Sequence, residues 1–429
     1  MRKLLPEVLR AIRPSDEERE VELAFCELLL HHISESAPRG CEVVLTGSMA
    51  KGTFLRDKRD VDVFVLFGRS VPREELEAFI KDIMDSAFPS LGYQLSYAEH
   101  PYVRFHFEGR RIDLVPAYKI SSASERLSAV DRSVLHTEFV LRKMKAAQVD
   151  EVLLLKQFLK ANGIYGAEIK TAGFSGYLCE LLIVRYGSFE KLLKAASAWK
   201  KGAFIDLQSY YRGKSLPEAK KRFGAFAVID PTDRNRNVAA AVSPDNFSAF
   251  ISLCREFRKK PSPRFFFREP EPFEDKVGKA ARKRHCFIVS MPRPDVVDDI
   301  LWGQLYKMMN QLEAHLKEFS PKKLLADDSR HVVRLAIVLE KDRLPEKMLV
   351  AGPPLDMKKN VSEFRKSHSR ARFVKKGGKI WAERKRPMSK PKEFIADFFR
   401  SFQKTKSHLA YPQEMIVIEK YDEKTFRAP

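Results

Sequence analysis

Along residues 59–67, RDVDVFVLF, side chains fall on two faces with the period of a strand. Val61, Val63, Val65 and Phe67 share one face, and Asp60, Asp62, Phe64 and Leu66 share the other. Two carboxylates side by side on an apolar strand repel each other and lose solvation. The pair therefore needs either solvent at a sheet edge or a cation. Around it, residues 15–34 have a helical period, with Ser15 and Glu18 forming a capping box. CEVVLTG (41–47) predicts a strand, and Gly47-Ser48 turns into a short helix. Residues 73–88 predict a helix and 93–98 a strand. YVRFHFEGRRIDLVPAY (102–118) alternates on both sides of Glu108-Gly109 and predicts a hairpin.

From about Ser124 the pattern turns helical through HTEFVLRKMKAAQ, VLLLKQFLKANGI, GYLCELLIVRYG and FEKLLKAASAWK. FAVIDP (226–231) interrupts as a strand, and Ser243-Pro244 caps a helix reaching about Lys259. PSPRFFFREPEP (261–272) is proline-rich and charged and reads as a linker. Beyond it come strand 286–291, helix 295–318, strand 331–339 and a loop holding GPPL. A hairpin across Gly377-Gly378, a helix over 390–403 and a strand over 414–419 follow. The expected fold is α+β and multidomain. A catalytic head occupies 1–123, a mainly helical central domain 124–260, and a C-terminal split β-α-β (ferredoxin- or RRM-like) region 273–429.

Length and composition sharpen this only in part. A chain of 429 residues with 44% hydrophobic and 31% charged positions is globular and holds several cores. No apolar run approaches the roughly 18–20 residues needed to cross a bilayer, so no membrane partner is expected. The N-terminus lacks the sustained apolar stretch of a secretory signal. Five scattered cysteines without CxxC or Cys/His spacing argue against zinc and disulfides and suit a reducing cytoplasm. Net charge matters more: +21, with a pI near 9.6, calls for a polyanionic partner, nucleic acid before membrane.

Three features then converge on chemistry. Gly47-Ser48 leaves a strand for a helix N-terminus, a setting that favours phosphate oxygens. Asp60 and Asp62 offer hard oxygens suited to magnesium or manganese. Asp113, alone between Ile112 and Leu114, would join them if its strand lay alongside, giving a two-metal site for phosphoryl chemistry. Read singly, Lys156 could snorkel from an apolar helix, His136 and Tyr165 could pack, and Arg234 and Arg236 could be solvated.

The order GS, eleven residues, then Asp-x-Asp on a strand resembles the signature of the DNA polymerase β-type nucleotidyltransferases. AVDRSVLHTEFV, LKQFLKANGIYG, GFSGYLCELLIVRYGSF, DPTDRNRNVAAAVSPDNF and GPPL resemble, in order, blocks of the archaeal-type, class I CCA-adding enzymes. The resemblance implies template-free addition of C, C and A to tRNA 3′ ends from CTP and ATP, with two Mg²⁺ ions. It implies metal-binding roles for Asp60, Asp62 and Asp113, the first of which is often glutamate in the family. It implies nucleotide contacts at Gly47, Ser48, Lys51, Ser133, His136, Lys156 and Tyr165. Lys51 fills a position that the family also gives to arginine, and Ser133 one that it also gives to threonine. Arg236 would read the base edge, and planar guanidinium chemistry suits that task. The basic C-terminal third, interleaved with Phe364, Phe373 and Trp381, would grip the acceptor and TΨC arms, and the resemblance implies a homodimer. Two readings stay open: a related template-free transferase such as a poly(A) polymerase or oligoadenylate synthetase, and a non-catalytic basic RNA-binding protein.

Overall fold

A computed structural model describes residues 3–97, 101–269, 271–329, 331–422 and 426. The chain divides into two compact units, 1–270 and 271–429.

The first unit opens with α1 (Leu4–Ile12) and α2 (Asp16–Ser36). Ser15 caps α2: its side chain accepts from the Glu18 amide, and Glu18 accepts from the Ser15 amide in return. There follow β1 (Glu42–Thr46), α3 (Gly47–Ala50), β2 (Asp60–Phe67), α4 (Leu76–Ala87), β3 (Tyr93–Tyr97), β4 (Pro101–Phe107) and β5 (Arg110–Tyr118). They form one sheet in the order β1-β2-β5-β4-β3, and β2 runs parallel to β5. Val61, Val63, Val65 and Phe67 are buried in a core shared with α2 and α4. Phe64 and Leu66 lie in a separate cluster with Ala117, against Val130 and Val134. Because β2 is flanked by β1 and β5, the reading of its aspartates as groups on a solvent-facing edge strand does not hold.

The unit continues with α5 (Arg132–Lys143), α6 (Ala146–Ala161), α7 (Gly176–Tyr186), α8 (Phe189–Ala196), β6 (Ala203–Asp206), α9 (Ser215–Phe223), β7 (Phe226–Ile229) and α10 (Pro244–Lys259). HTEFVLRKMKAAQ is not a single helix: the backbone is extended at Met144 and Lys145. Gln148 stabilises the break, since its Oε1 accepts from the Lys145 amide at 2.9 Å and its Nε2 donates to the Ile183 carbonyl at 3.0 Å. The stretch expected to be a linker is partly core. Phe265 and Phe266 are buried among Phe158, Phe189 and Phe257, and these two phenylalanines outweigh the neighbouring prolines and charges, while Phe267 stays exposed.

The second unit holds α11 (Phe273–Ala281), β8 (His285–Pro292), α12 (Asp298–His315), β9 (Pro321–Asp328), β10 (Val332–Leu339), β11 (Lys347–Pro354), α13 (Lys358–Ser367), β12 (Arg372–Lys376), β13 (Lys379–Lys385), α14 (Pro391–Phe402) and β14 (Val417–Lys420). Strands β14-β8-β10-β9 make an antiparallel sheet. With α12 and α14 sharing one core, this is the split β-α-β order expected from the sequence. Strand β9 escaped the pattern because PKKLLADD has no alternation, and its residues are only partly buried or exposed. A three-stranded sheet, β11-β13-β12, is inserted before α14. GPPL is not a loop: Gly352, Pro353 and Pro354 end β11. Gly352 is needed there, since a Cβ would come within 2.7 Å of the Phe364 ring and 2.8 Å of Ile380. Phe364 and Phe373 are half-buried and pack 6.3 Å apart, so both take part in the fold of this sheet. Among the described residues no helix is long and apolar enough to cross a membrane.

Candidate active site

The parallel register of β2 and β5 sets Asp62 directly beside Asp113, with Asp60 one pleat away on the same face. This is the juxtaposition that three separate sequence positions could only suggest. Each outer acid has a cation. Arg104, opposite Asp113 on β4, donates from Nε to Oδ1 at 2.6 Å and from Nη2 to Oδ2 at 2.7 Å. Arg111 reaches Asp60 at 2.8 Å and Lys58 reaches it at 3.4 Å. Asp62 lies between, and burial, then Asp113 and Asp60, push its carboxyl above the usual range. As they stand, no three His, Cys, Asp or Glu side chains among the described residues converge closely enough to hold an ion. The donor chemistry nevertheless fits a hard divalent cation: three carboxylates, with negative charge that the protein leaves incompletely compensated at Asp62. An ion ligated by Asp113 would have to displace the Arg104 fork.

Gly47 follows from the same crowding. It has φ +68°, and a Cβ there would lie 1.9 Å from Asp62 Oδ2. Gly47→Ala is therefore expected to slow any reaction carried by these acids at least about tenfold and to cost about 1 kcal/mol from the left-handed backbone alone. Single-turnover kinetics and urea unfolding check the two effects separately.

Beside the acids opens a cavity of about 390 Å³. Gly47, Ser48, Lys51, Asp60, Asp62, Ser133, His136, Lys156 and Tyr165 all line it, whereas Asp113 and Arg236 do not. Its cationic wall rests on a residue that sequence reasoning passed over. Glu180, fully buried on α7, accepts from Lys51 Nζ at 2.6 Å and Thr53 Oγ1 at 2.7 Å, with Lys156 Nζ at 3.7 Å. Lys156 Nζ also donates to the Thr53 carbonyl at 2.8 Å. Burial lowers the proton affinity of Lys156, with Glu180 opposing. Burial would raise that of Glu180, but the two ammonium groups hold it below the ordinary value. The signal was a lone acid in the apolar helix GYLCELLIVRY.

Two more missed residues organise the far wall. Asp230, the residue after β7, is fully buried. Its Oδ2 accepts from His136 Nε2 and from Arg236 Nη1, each at 2.8 Å. Its Oδ1 accepts from Thr232 Oγ1 at 2.8 Å and from the Tyr177 hydroxyl at 3.3 Å. Tyr177 in turn stacks on His136, with ring centroids 4.1 Å apart. Burial makes His136 harder to protonate and Asp230 works against it. Helix α5, which carries Ser133 and His136, is anchored by Asp131, whose carboxylate accepts from the amides of Tyr118, Leu127 and Ser128.

Comparison with known proteins divides the chain among three family profiles. Residues 26–136 match the nucleotidyltransferase domain, 150–267 the second domain of tRNA nucleotidyltransferase, and 282–409 the C-terminal domain of the CCA-adding enzyme. The CCA-adding enzyme of Methanocaldococcus jannaschii is 38% identical over 392 residues, covering 88% of this chain and 85% of its own. That of Archaeoglobus fulgidus is 35% identical over 408 residues, covering 92% and 89%. Among solved structures, a cytoplasmic RNA terminal U-transferase is similar with a TM-score of 0.49 and 16% identity, over 63% of this chain and 98% of its own.

Proposed function

The chain belongs to the CCA-adding enzymes, tRNA nucleotidyltransferases of polymerase β-like fold, and on that premise we propose which of its residues do the work. Asp60, Asp62 and Asp113 hold two Mg²⁺ ions, and the nucleotides are CTP and ATP. When bound, the ions supply a more acidic 3′-hydroxyl and charge stabilisation on the departing pyrophosphate. Ser48, Lys51, Ser133, His136, Lys156 and Tyr165 hold the triphosphate, with the backbone at Gly47 allowing close approach. Arg236 reads the base edge. The observation that carries this reading is the pairing of Asp62 with Asp113 beside a cavity whose wall carries Lys51 and Lys156.

The roles follow from chemistry. The tRNA 3′-hydroxyl attacks the α-phosphorus, the α–β bridging bond breaks, and pyrophosphate leaves with the negative charge. Lys51 and Lys156 are already desolvated and paired to Glu180, so an arriving triphosphate meets cations that need little reorganisation. Without a template, side chains and the RNA end must separate C and A from U and G. A polar pocket does so because the wrong base leaves a buried donor or acceptor unpaired, at about 1–3 kcal/mol per group.

The test uses tRNA lacking its terminal CCA, Mg²⁺ and labelled CTP, ATP, UTP or GTP, singly and together. Two C additions followed by one A, with no UTP or GTP incorporation, is the expected product. Long A tails from ATP alone would instead assign a poly(A) polymerase-like activity, and tRNA binding with no transfer a non-catalytic binder.

The acceptor and TΨC arms are the proposed tRNA contacts of the second unit. Exposed Lys347, Lys375, Lys376, Lys379, Arg384 and Lys385 on the inserted sheet support this, because such a surface suits the phosphates of an A-form duplex. Affinity for tRNA should accordingly fall at least about tenfold between about 50 and about 200 mM salt, read by filter binding. A flat salt response would remove the electrostatic grip. The assembly is a homodimer working in the cytoplasm, and light scattering coupled to gel filtration tests its mass.

A further inference from the structure

Asp230 binds no substrate atom in the roles given above, yet it touches residues from both ends of the nucleotide site. Its Oδ2 is shared: His136, on the cavity wall, and Arg236, outside it, donate to the same oxygen at 2.8 Å each. The loop between them is braced. The Asp230 amide donates to the Arg236 carbonyl at 3.0 Å, the Tyr210 hydroxyl donates to the Pro231 carbonyl at 2.6 Å, and that of Tyr211 to the Arg234 carbonyl at 2.8 Å. With the backbone pinned and Asp230 buried, the adjustable member is the Arg236 side chain, about a third exposed.

We propose that Asp230 transmits base recognition to the triphosphate grip: when a correct base draws Arg236 away, the carboxylate turns its full charge to His136 and strengthens that residue's hold on the phosphates. A wrong base leaves Arg236 on Asp230 and His136 weakly held. The sign follows from the charges around the imidazole. Asp230 favours its cationic form, Arg236 and Arg132 oppose it, and Tyr177 covers one ring face. Arg132 is itself anchored to Asp233 at 3.1 Å, so it is not the member that moves. Asp230 is thus a positioning residue, and selectivity extends from the base edge into nucleotide affinity. This inference rests on the roles proposed for His136 and Arg236.

Inorganic tripolyphosphate, which has no base, separates this coupling from direct contact. As a competitive inhibitor of CCA addition, it is expected to bind about fivefold tighter to Arg236→Ala than to the unaltered enzyme, and about fivefold weaker to Asp230→Asn. Simple loss of a positive charge near the site would act in the opposite direction on Arg236→Ala. In a His136→Ala background the gain from Arg236→Ala should vanish, and this cycle leaves the buried acid untouched. Unchanged or weaker inhibition in Arg236→Ala overturns the coupling, as does a gain that persists without His136. If Arg236→Ala instead leaves the choice among CTP, ATP, UTP and GTP unaltered, the base-reading role itself falls and the coupling with it. Altered choice with unaltered tripolyphosphate inhibition removes the coupling alone.

Discussion

Asp62→Asn is expected to abolish CCA addition, by about three orders of magnitude or more, while tRNA affinity changes less than about twofold. Asp62 is the central acid of the three, beside Asp113 in register and one pleat from Asp60. Loss of one oxygen charge removes several kcal/mol of transition-state stabilisation, each 1.4 kcal/mol being tenfold in rate. On the proposed grip, tRNA binding rests on phosphate contacts of the basic second unit and should not need this carboxylate. The same change should make the metal-free protein more stable near neutral pH. Burial and two neighbouring acids raise the proton affinity of Asp62, so its ionised form costs stability as pH rises past the ordinary carboxylate range. Asparagine removes that cost. Thermal unfolding should show a higher midpoint for the variant without Mg²⁺, and a rise on adding Mg²⁺ only in the unaltered protein. Retained turnover, or an Mg²⁺-induced rise in the variant equal to that of the unaltered chain, would displace Asp62 from the centre.

The legible part of this protein is the part whose chemistry is local in sequence. Alternation in RDVDVFVLF gives strand β2 and its two faces, and a lone acid in RRIDLVP marks Asp113, so two short stretches contain the acids. What they do not contain is the register that sets Asp62 beside Asp113, a product of strand pairing across some fifty residues. The supporting residues were hidden for the same reason. Glu180 looks like an anomaly in an apolar helix until Lys51, 129 residues earlier, is seen against it. Asp230 looks like a strand-end acid in a turn until His136, 94 residues earlier, donates to it. Arg104 alternates as a polar strand position and gives no hint that it clasps Asp113. Where the sequence misleads, composition masks side-chain volume. PSPRFFFREPEP has a linker's prolines and charges, yet Phe265 and Phe266 belong to the core.

Glu180→Ala should be the most destabilising single change in the nucleotide site, by about 3–5 kcal/mol, because it strands two buried ammonium groups rather than one. Lys51 has 6% of its side chain exposed and Lys156 2%, and Glu180 is the carboxylate that both contact. The pH dependence has a definite sign. Glu180 has a folded proton affinity below its ordinary value, so its contribution is present above that value and fades as acid protonates it. The gap in stability between the unaltered chain and Glu180→Ala should therefore be widest near neutrality and close as the pH falls below about 4.5. Activity should suffer in a second way. Burial already lowers the proton affinity of Lys156, and Glu180 is the chief opposing influence. Without it, Lys156 loses its proton at lower pH, and the KM for ATP and CTP should begin to climb at a lower pH than in the unaltered enzyme, while kcat falls less. Urea unfolding at several pH values and steady-state kinetics over the same range read the two effects. A variant of normal stability whose KM does not vary with pH would mean that the lysines are not held by this carboxylate.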